Sequence, residues 1–167
     1  LTKRANGAAE DVPLAGFPHH AIDSYLPKLV RAGYRVAVCE QLEDPKFAKG
    51  IVKRDVIEVV TPGVSFNDKL LDHKKNNYLL SIYLEDEIAG LAFSDISTGE
   101  FQTFQISRNE LNQQIGSINP SEVLIPKKYK NELEPLILKF SPNTRVTKID
   151  DWIYNYDYAS ELLMNHF

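Results

Sequence analysis

Apolar residues recur along this chain with two different periods. Ile22, Tyr25, Leu26, Leu29 and Val30 follow the i, i+3, i+4, i+7, i+8 spacing of a helix with one buried face, and predict a helix over 20–32. Pro27 lies inside it, where it removes a backbone donor and should kink or shift the helix. Gly33 then supplies a C-terminal cap position. Residues 34–40 and 52–60 are runs rich in valine and read as two strands, separated by a polar loop that contains Asp44-Pro45. Thr61-Pro62-Gly63 stops the second strand. The chain opens on a stretch without periodicity, Thr2 to Pro13, which reads as a loop with room for a short hairpin at Asn6-Gly7.

Period two dominates later. Residues 78–84, 88–95 and 100–106 form three strands in succession, with Asp86 in the first turn and Thr98-Gly99 in the second. Asn109 is placed to cap a helix over 110–117. Val123-Leu124-Ile125, stopped by Pro126, reads as a short buried strand. A helix over 129–139 interrupted by Pro135, a strand over 144–149 and a helix over 151–166 complete the order. The last helix carries Trp152, Tyr156, Ala159, Leu162 and Leu163 on its apolar face. The fold class is therefore mixed α/β. The second half has the element order of a ribonuclease-H-like domain. The charged stretch 68–77 reads as a linker with a short helix. The predicted division is a first domain over 1–62, a linker over 63–76 and a second domain over 77–167.

Composition narrows the function classes. The 167 residues are 43% hydrophobic and 25% charged, as in ordinary globular proteins and unlike disordered chains. No apolar run is long enough for a membrane-spanning helix, and no basic-then-apolar leader opens the chain. Net charge is −4. Residues 1–60 hold nine basic and eight acidic side chains, and residues 61–167 hold ten and fifteen. Neither half is basic enough to announce nucleic acid by composition, so any such contact must come from local clusters. The single cysteine, Cys39, excludes an internal disulfide, fits a reducing compartment and reads as an inert thiol in a strand core. The chain starts at Leu1 and its one methionine is Met164, which reads as a piece of a longer protein.

The candidate chemistry is sparse. A ribonuclease-H-like nuclease would hold two metal ions about 4 Å apart on carboxylates, one of them on the first strand. Residues 78–84 contain no acid, and Asp95-Ile96-Ser97-Thr98-Gly99 reads as turn capping. Catalysis is not expected, and a metal-dependent nuclease is the remote alternative. His19-His20 lacks a partner at zinc spacing and reads as a helix N-terminus with one partly buried ring. No Walker-type phosphate loop occurs. Three basic clusters, Lys3-Arg4, Lys46 with Lys49, and Lys53-Arg54, lie in loops or at strand ends. There they could meet phosphates or stand as solvated surface charges. Lys127-Lys128 with Lys130 sits among acids and reads as surface.

Several motifs resemble one family. Thr2-Lys3-Arg4, then Val12-Pro13-Leu14-Ala15-Gly16-Phe17-Pro18-His19-His20-Ala21, then Tyr25-Leu26-Pro27-Lys28-Leu29 are similar to the first domain of the MutS family of bacterial mismatch-repair proteins. The similarity continues through Arg35 to Pro45 and Val59 to Gly63. Ser94-Asp95-Ile96-Ser97-Thr98-Gly99-Glu100-Phe101 resembles that family's connector domain. The resemblance implies a partial mismatch-recognition domain followed by a partial, ribonuclease-H-like connector. It implies a cytoplasmic bacterial parent that clamps mismatched double-stranded DNA as a homodimer. ATP and magnesium would belong to a distant ATPase domain, with no cofactor in this chain, and the partner MutL would dock on the connector.

The family wedges a Phe-Xaa-Glu phenylalanine beside the mispaired base, trading unstacking for a bent duplex. None of the eight phenylalanines here is followed two places later by glutamate. On this resemblance Lys3 and Arg4 match a loop near the DNA backbone, and Leu14 matches an apolar position near the wedge. Lys49, Lys53 and Arg54 are further candidates for phosphate contact. Glu161 and Leu162 are candidates for partner docking. An alternative class is a protein-docking module with no DNA role of its own.

Overall fold

The computed structural model describes residues 2–5, 11–14, 16–44, 46–47, 50–64 and 76–166. The opening stretch is a hairpin. Strands β1 (Thr2–Ala5) and β2 (Asp11–Leu14) pair antiparallel, with Thr2 opposite Leu14 and Ala5 opposite Asp11. The hairpin that the sequence allowed is present, and its two arms are strands rather than loop. Residues 6–10, which hold Asn6-Gly7, lie outside the described residues, as does the expected linker helix within 65–75.

A 3-10 turn at His19–Ala21 leads into α1 (Ile22–Arg31), which runs through Pro27 without ending there. Its buried residues are Pro27 and Val30, with Ile22 and Leu26 half-buried, while Tyr25 and Leu29 face solvent. The buried stripe is rotated from the expected one because the proline ring itself packs inward. Both His19 and His20 are exposed, which corrects the partly buried ring. Helix α1 ends as a Schellman motif. Gly33, at φ 84°, donates its N–H to Val30 O at 2.9 Å, and Tyr34 donates to Leu29 O at 3.1 Å.

Strands β3 (Val36–Gln41) and β4 (Arg54–Val60) form an antiparallel two-stranded ribbon, with a register shift between Val38 and Cys39. The shift leaves Ile57 as the extra residue of a bulge, since Val38 faces Glu58 and Cys39 faces Val56. Most of the ribbon is exposed, including Cys39. The core-thiol reading is thus corrected: Cys39 borders the bulge on a ribbon two strands wide, where apolar neighbours do not cover it.

The second half is a five-stranded sheet of order β7-β6-β5-β8-β9. Its strands are β5 (Leu79–Glu85), β6 (Ile88–Asp95), β7 (Glu100–Ser107), β8 (Glu122–Pro126) and β9 (Arg145–Ile149). The meander β5-β6-β7 is antiparallel and β5-β8-β9 is parallel, which is the arrangement of a ribonuclease-H-like sheet. Parallel pairing needs crossovers, and α2 (Leu111–Ile118) and α3 (Lys130–Phe140) supply them. Both pack on one face of the sheet. Leu80, Ile82 and Leu84 of β5 meet Leu91, Val123 and Ile125 of its neighbours, and Leu111, Ile115, Leu133 and Ile137 of the helices.

Two local expectations change here. The first turn before α2 is capped by Glu110, whose Oε2 accepts the Ser107 N–H at 3.1 Å, so the cap pair is Ser107 and Glu110 rather than Asn109. The last helix divides at Asn155 into a 3-10 turn (Asp151–Tyr154) and α4 (Tyr156–His166). Asn155 Oδ1 accepts the N–H groups of Asp157 and Tyr158 at 3.0 and 3.3 Å, which starts α4 afresh. Helix α4 fully buries none of its residues, so the face expected to pack stays exposed apart from half-buried Ala159.

Gly33 gives the first testable outcome. Alanine at a left-handed position costs about 1–2 kcal/mol. Gly33→Ala should lower the free energy of unfolding by that amount, seen as a lower urea midpoint with an unchanged denaturant slope.

Candidate nucleic-acid interface

The expected DNA-contact residues fall on two separate ribbons. Lys3 and Arg4 lie on β1, opposite Pro13 and Val12, and Leu14 lies on β2 opposite Thr2. One hairpin therefore brings together the three residues that the resemblance singles out. Lys49 lies outside the described residues.

Lys53 and Arg54 stand at the open end of the β3–β4 ribbon, and both are exposed. The ladder extends one step past the strands, where Leu42 N–H donates to Lys53 O at 3.0 Å. Glu43 Oε1 accepts the Lys53 N–H at 2.7 Å, and Asp44 Oδ1 accepts the Lys46 N–H at 2.9 Å. These acids spend their acceptors on backbone, as short polar side chains do in turns. Arg54 Nη1 donates to Val52 O at 3.4 Å. Among the described residues, neither Lys53 nor Arg54 forms an ion pair with a carboxylate. The ribbon end is nevertheless mixed in sign, because Glu40 and Asp55 face each other one step beyond the Gln41–Arg54 pair.

Asp95 carries the clearest local electrostatics. It is 1% exposed at the β6–β7 turn. Its Oδ1 accepts the Ser97 N–H at 2.9 Å and the Ser97 hydroxyl at 2.6 Å, and its Oδ2 accepts the Asn77 N–H at 2.8 Å. Gly99, at φ 75°, donates to the Asp95 carbonyl at 2.9 Å. This is the turn-capping role read from the sequence. Burial alone would raise the carboxyl pKa, but these donors outweigh it and hold Asp95 below the usual carboxylate range. Both oxygens are committed to protein donors. Among the described residues, no group of three or more histidine, cysteine or acidic side chains is placed to hold a metal ion.

Glu161 and Leu162 are both exposed on α4. Nearby, the uncovered face of the sheet and the start of α4 enclose a cleft of about 790 Å³ lined by Ser81, Tyr83, Ile153, Tyr154, Tyr156 and Ala159. Tyr83 and Tyr154 stack with centroids 6.1 Å apart, and burial raises the Tyr154 phenol pKa.

Sequence reasoning missed two residues between the halves. Glu122, 2% exposed, accepts from the backbone of Gly63, and Arg145 donates to the carbonyl of Gly33. Only an acid at the head of an apolar strand hinted at the first, and such residues are more often solvated.

A two-module protein, a small α/β unit with basic hairpin positions followed by a ribonuclease-H-like sheet, is the class that this geometry defines. Comparison with known proteins is specific. Residues 1–69 match the family model "MutS domain I" and residues 77–167 match "MutS domain II". The chain belongs to the MutS family of DNA mismatch-repair proteins. It is similar to the protein named DNA mismatch repair protein MutS from Cytophaga hutchinsonii, with 53% identity across all of this chain and 19% of that relative. The protein of the same name from Parabacteroides distasonis is 51% identical over 99% of this chain and 19% of its own length. That from Chlorobium phaeobacteroides is 45% identical over all of this chain and 20% of its own length. The chain thus spans about a fifth of the length of these curated relatives. None of the helices among the described residues is long and apolar enough to cross a membrane.

The Asp95 cap sets a pH dependence. A carboxyl with a lowered folded pKa stabilises above its unfolded value, about 3.9, and that contribution is lost as pH falls through the folded value. Asp95→Asn offers an amide nitrogen where a donor already points. It should cost about 1–3 kcal/mol at pH 7. In urea titrations followed by circular dichroism, the gap between wild type and variant should narrow below about pH 4.

Proposed function

We propose that this chain is a non-enzymatic part of a mismatch-repair protein that contacts the DNA backbone through its first domain and docks MutL through its second. The observation that carries the first half is the β1–β2 hairpin, which gathers Lys3, Arg4 and Leu14 on one short antiparallel pair. Lysine and arginine on such a hairpin can meet phosphates, which position a duplex without reading its sequence. Lys53 and Arg54, free of carboxylate partners among the described residues, add a weaker second contact, weakened by the acids beside them. Lys49 belongs to the same basic loop by sequence. ATP hydrolysis, magnesium, the homodimer and a cytoplasmic site of action are properties of the parent in this reading.

Preference for a mismatch needs a wedge, and no Phe-Xaa-Glu occurs in these 167 residues. Titration of homoduplex and G·T heteroduplex at two salt concentrations tests the reading. Equal, weak affinities with a salt slope that shrinks on Lys3→Ala and Arg4→Ala are the expected result. A clear heteroduplex preference, or a slope indifferent to both substitutions, would overturn it.

The docking half rests on α4, where Tyr156, Leu162, Leu163 and Met164 are exposed on a helix that buries nothing. An apolar cluster of this kind marks interaction surfaces. Leu162→Glu together with Glu161→Lys should abolish capture of MutL by the chain and leave its circular dichroism unchanged. Undiminished capture would remove α4 from the interface.

A further inference from the structure

Glu122 has no part in the proposed DNA or MutL contacts, yet it is a carboxylate 2% exposed. Burying such a group costs several kcal/mol unless donors meet its oxygens. Here they arrive from two directions. Oε2 accepts the N–H of Gly63 at 3.1 Å, and Oε1 accepts the hydroxyl of Thr147 at 2.6 Å. Thr147 is the neighbouring strand's residue, on β9. Gly63 comes from the other half of the chain, in the Thr61–Val64 turn that closes β4.

The approach is too close for a side chain. A Cβ on Gly63 would lie 2.8 Å from Glu122 Cβ and 2.9 Å from Leu79 Cδ1. Gly63 is not among the glycines with positive φ, so the contact rather than the turn demands glycine. Val60 and Thr61, beside it, are buried as well.

A second contact lies on different elements. Arg145, at the head of β9, donates from Nη1 to the carbonyl of Gly33, just past the C-terminal end of α1. A guanidinium suits that position, because the helix dipole leaves the C-terminal end of α1 partly negative. The Arg145 backbone is itself held, its N–H donating to Ser121 O at 3.1 Å.

We propose that Glu122 and Arg145 form a two-point clasp that makes the α1–β4 unit and the five-stranded sheet one rigid body. One contact would leave a pivot. Two contacts, one on the end of β4 and one on the end of α1, oppose rotation about either. A displacement of the ribbon is then passed directly to β8 and β9. This holds whether or not the chain touches DNA.

The test uses the 167-residue chain. Cys39 is its one cysteine and is exposed, so a spin label there pairs with a second label at Gln105→Cys, on the far edge of the sheet. Wild type should give one narrow distance distribution. Glu122→Ala should broaden it and speed exchange of the Gly63 amide by about tenfold, the loss of one hydrogen bond to a charged group. The amides of Leu80 and Ile82 should stay protected. Glu122→Gln should recover part of the effect, since its oxygen can accept from Gly63 while its amide donates to the Thr147 hydroxyl. A broad distribution in wild type, or a narrow one with Gly63 still protected in Glu122→Ala, would overturn the clasp. Should Glu122→Ala unfold the sheet, Arg145→Ala carries the test, and an unchanged distribution in that variant overturns the proposal equally.

Discussion

The arrangement of the second half follows from the burial of one face of β5. This strand pairs antiparallel with β6 on one side and parallel with β8 on the other, so among the described strands it is the one through which both kinds of pairing pass. Leu80, Ile82 and Leu84 alternate onto its buried face. A slip of one residue would turn all three to the opposite face, a loss of about 1.5–3 kcal/mol for each side chain. The register of β5 therefore fixes where its neighbours start. It places Leu79 beside Glu122, and it places Tyr78 and Asn77 beside the Asp95 turn. Asp95 and Glu122, both buried, sit at this end of the sheet.

The meander was legible because its burial has a period of two and its turns use residues that suit them. Asp86 adopts φ 49°, and Gly99 adopts a left-handed φ that its lack of a Cβ permits. The first half was harder to read for a physical reason. Its ribbon is two strands wide, so an apolar run such as Val56, Ile57 and Val59 faces solvent, although sequence pattern alone assigns it to a core. The same applies to Cys39. Helix α4 fails in the same way, since helical periodicity says which residues share a face but not whether anything covers it.

The candidate interface was legible only as residue types. Lys3-Arg4 reads in sequence as a basic pair given weight by a resemblance, and the fold adds that Leu14 shares its hairpin. Lys53-Arg54 reads in the same way, and there the fold reduces its weight. The pairing that makes the ribbon also sets Glu40 opposite Asp55, so the local field is divided. A chain of net charge −4 can still place a few cations where phosphates run, but those cations must then be geometrically selected rather than numerous.

Asp95 and Glu122 show why one buried acid could be read from sequence and the other could not. The donors to Asp95 Oδ1 lie two residues away, in Ser97, so the cap closes within a tight turn at little entropic cost. The donor to Glu122 Oε2 lies 59 residues away, and the donor to Oε1 lies 25 residues away on another strand. No local pattern can announce such a partner. The difference is also energetic. The Ser97 donors can engage Asp95 as soon as β6 and β7 pair, Asn77 joins them when β5 is in place, and the cap serves the stability of the sheet alone. The bond from Gly63 to Glu122 Oε2 exists only when the Thr61–Val64 turn is docked, so undocking leaves an acceptor that must be solvated again, while Thr147 still holds Oε1. A carboxylate arranged in this way ties the energy of the sheet to the position of the ribbon, which an apolar residue at 122, lacking a directional demand, would not do.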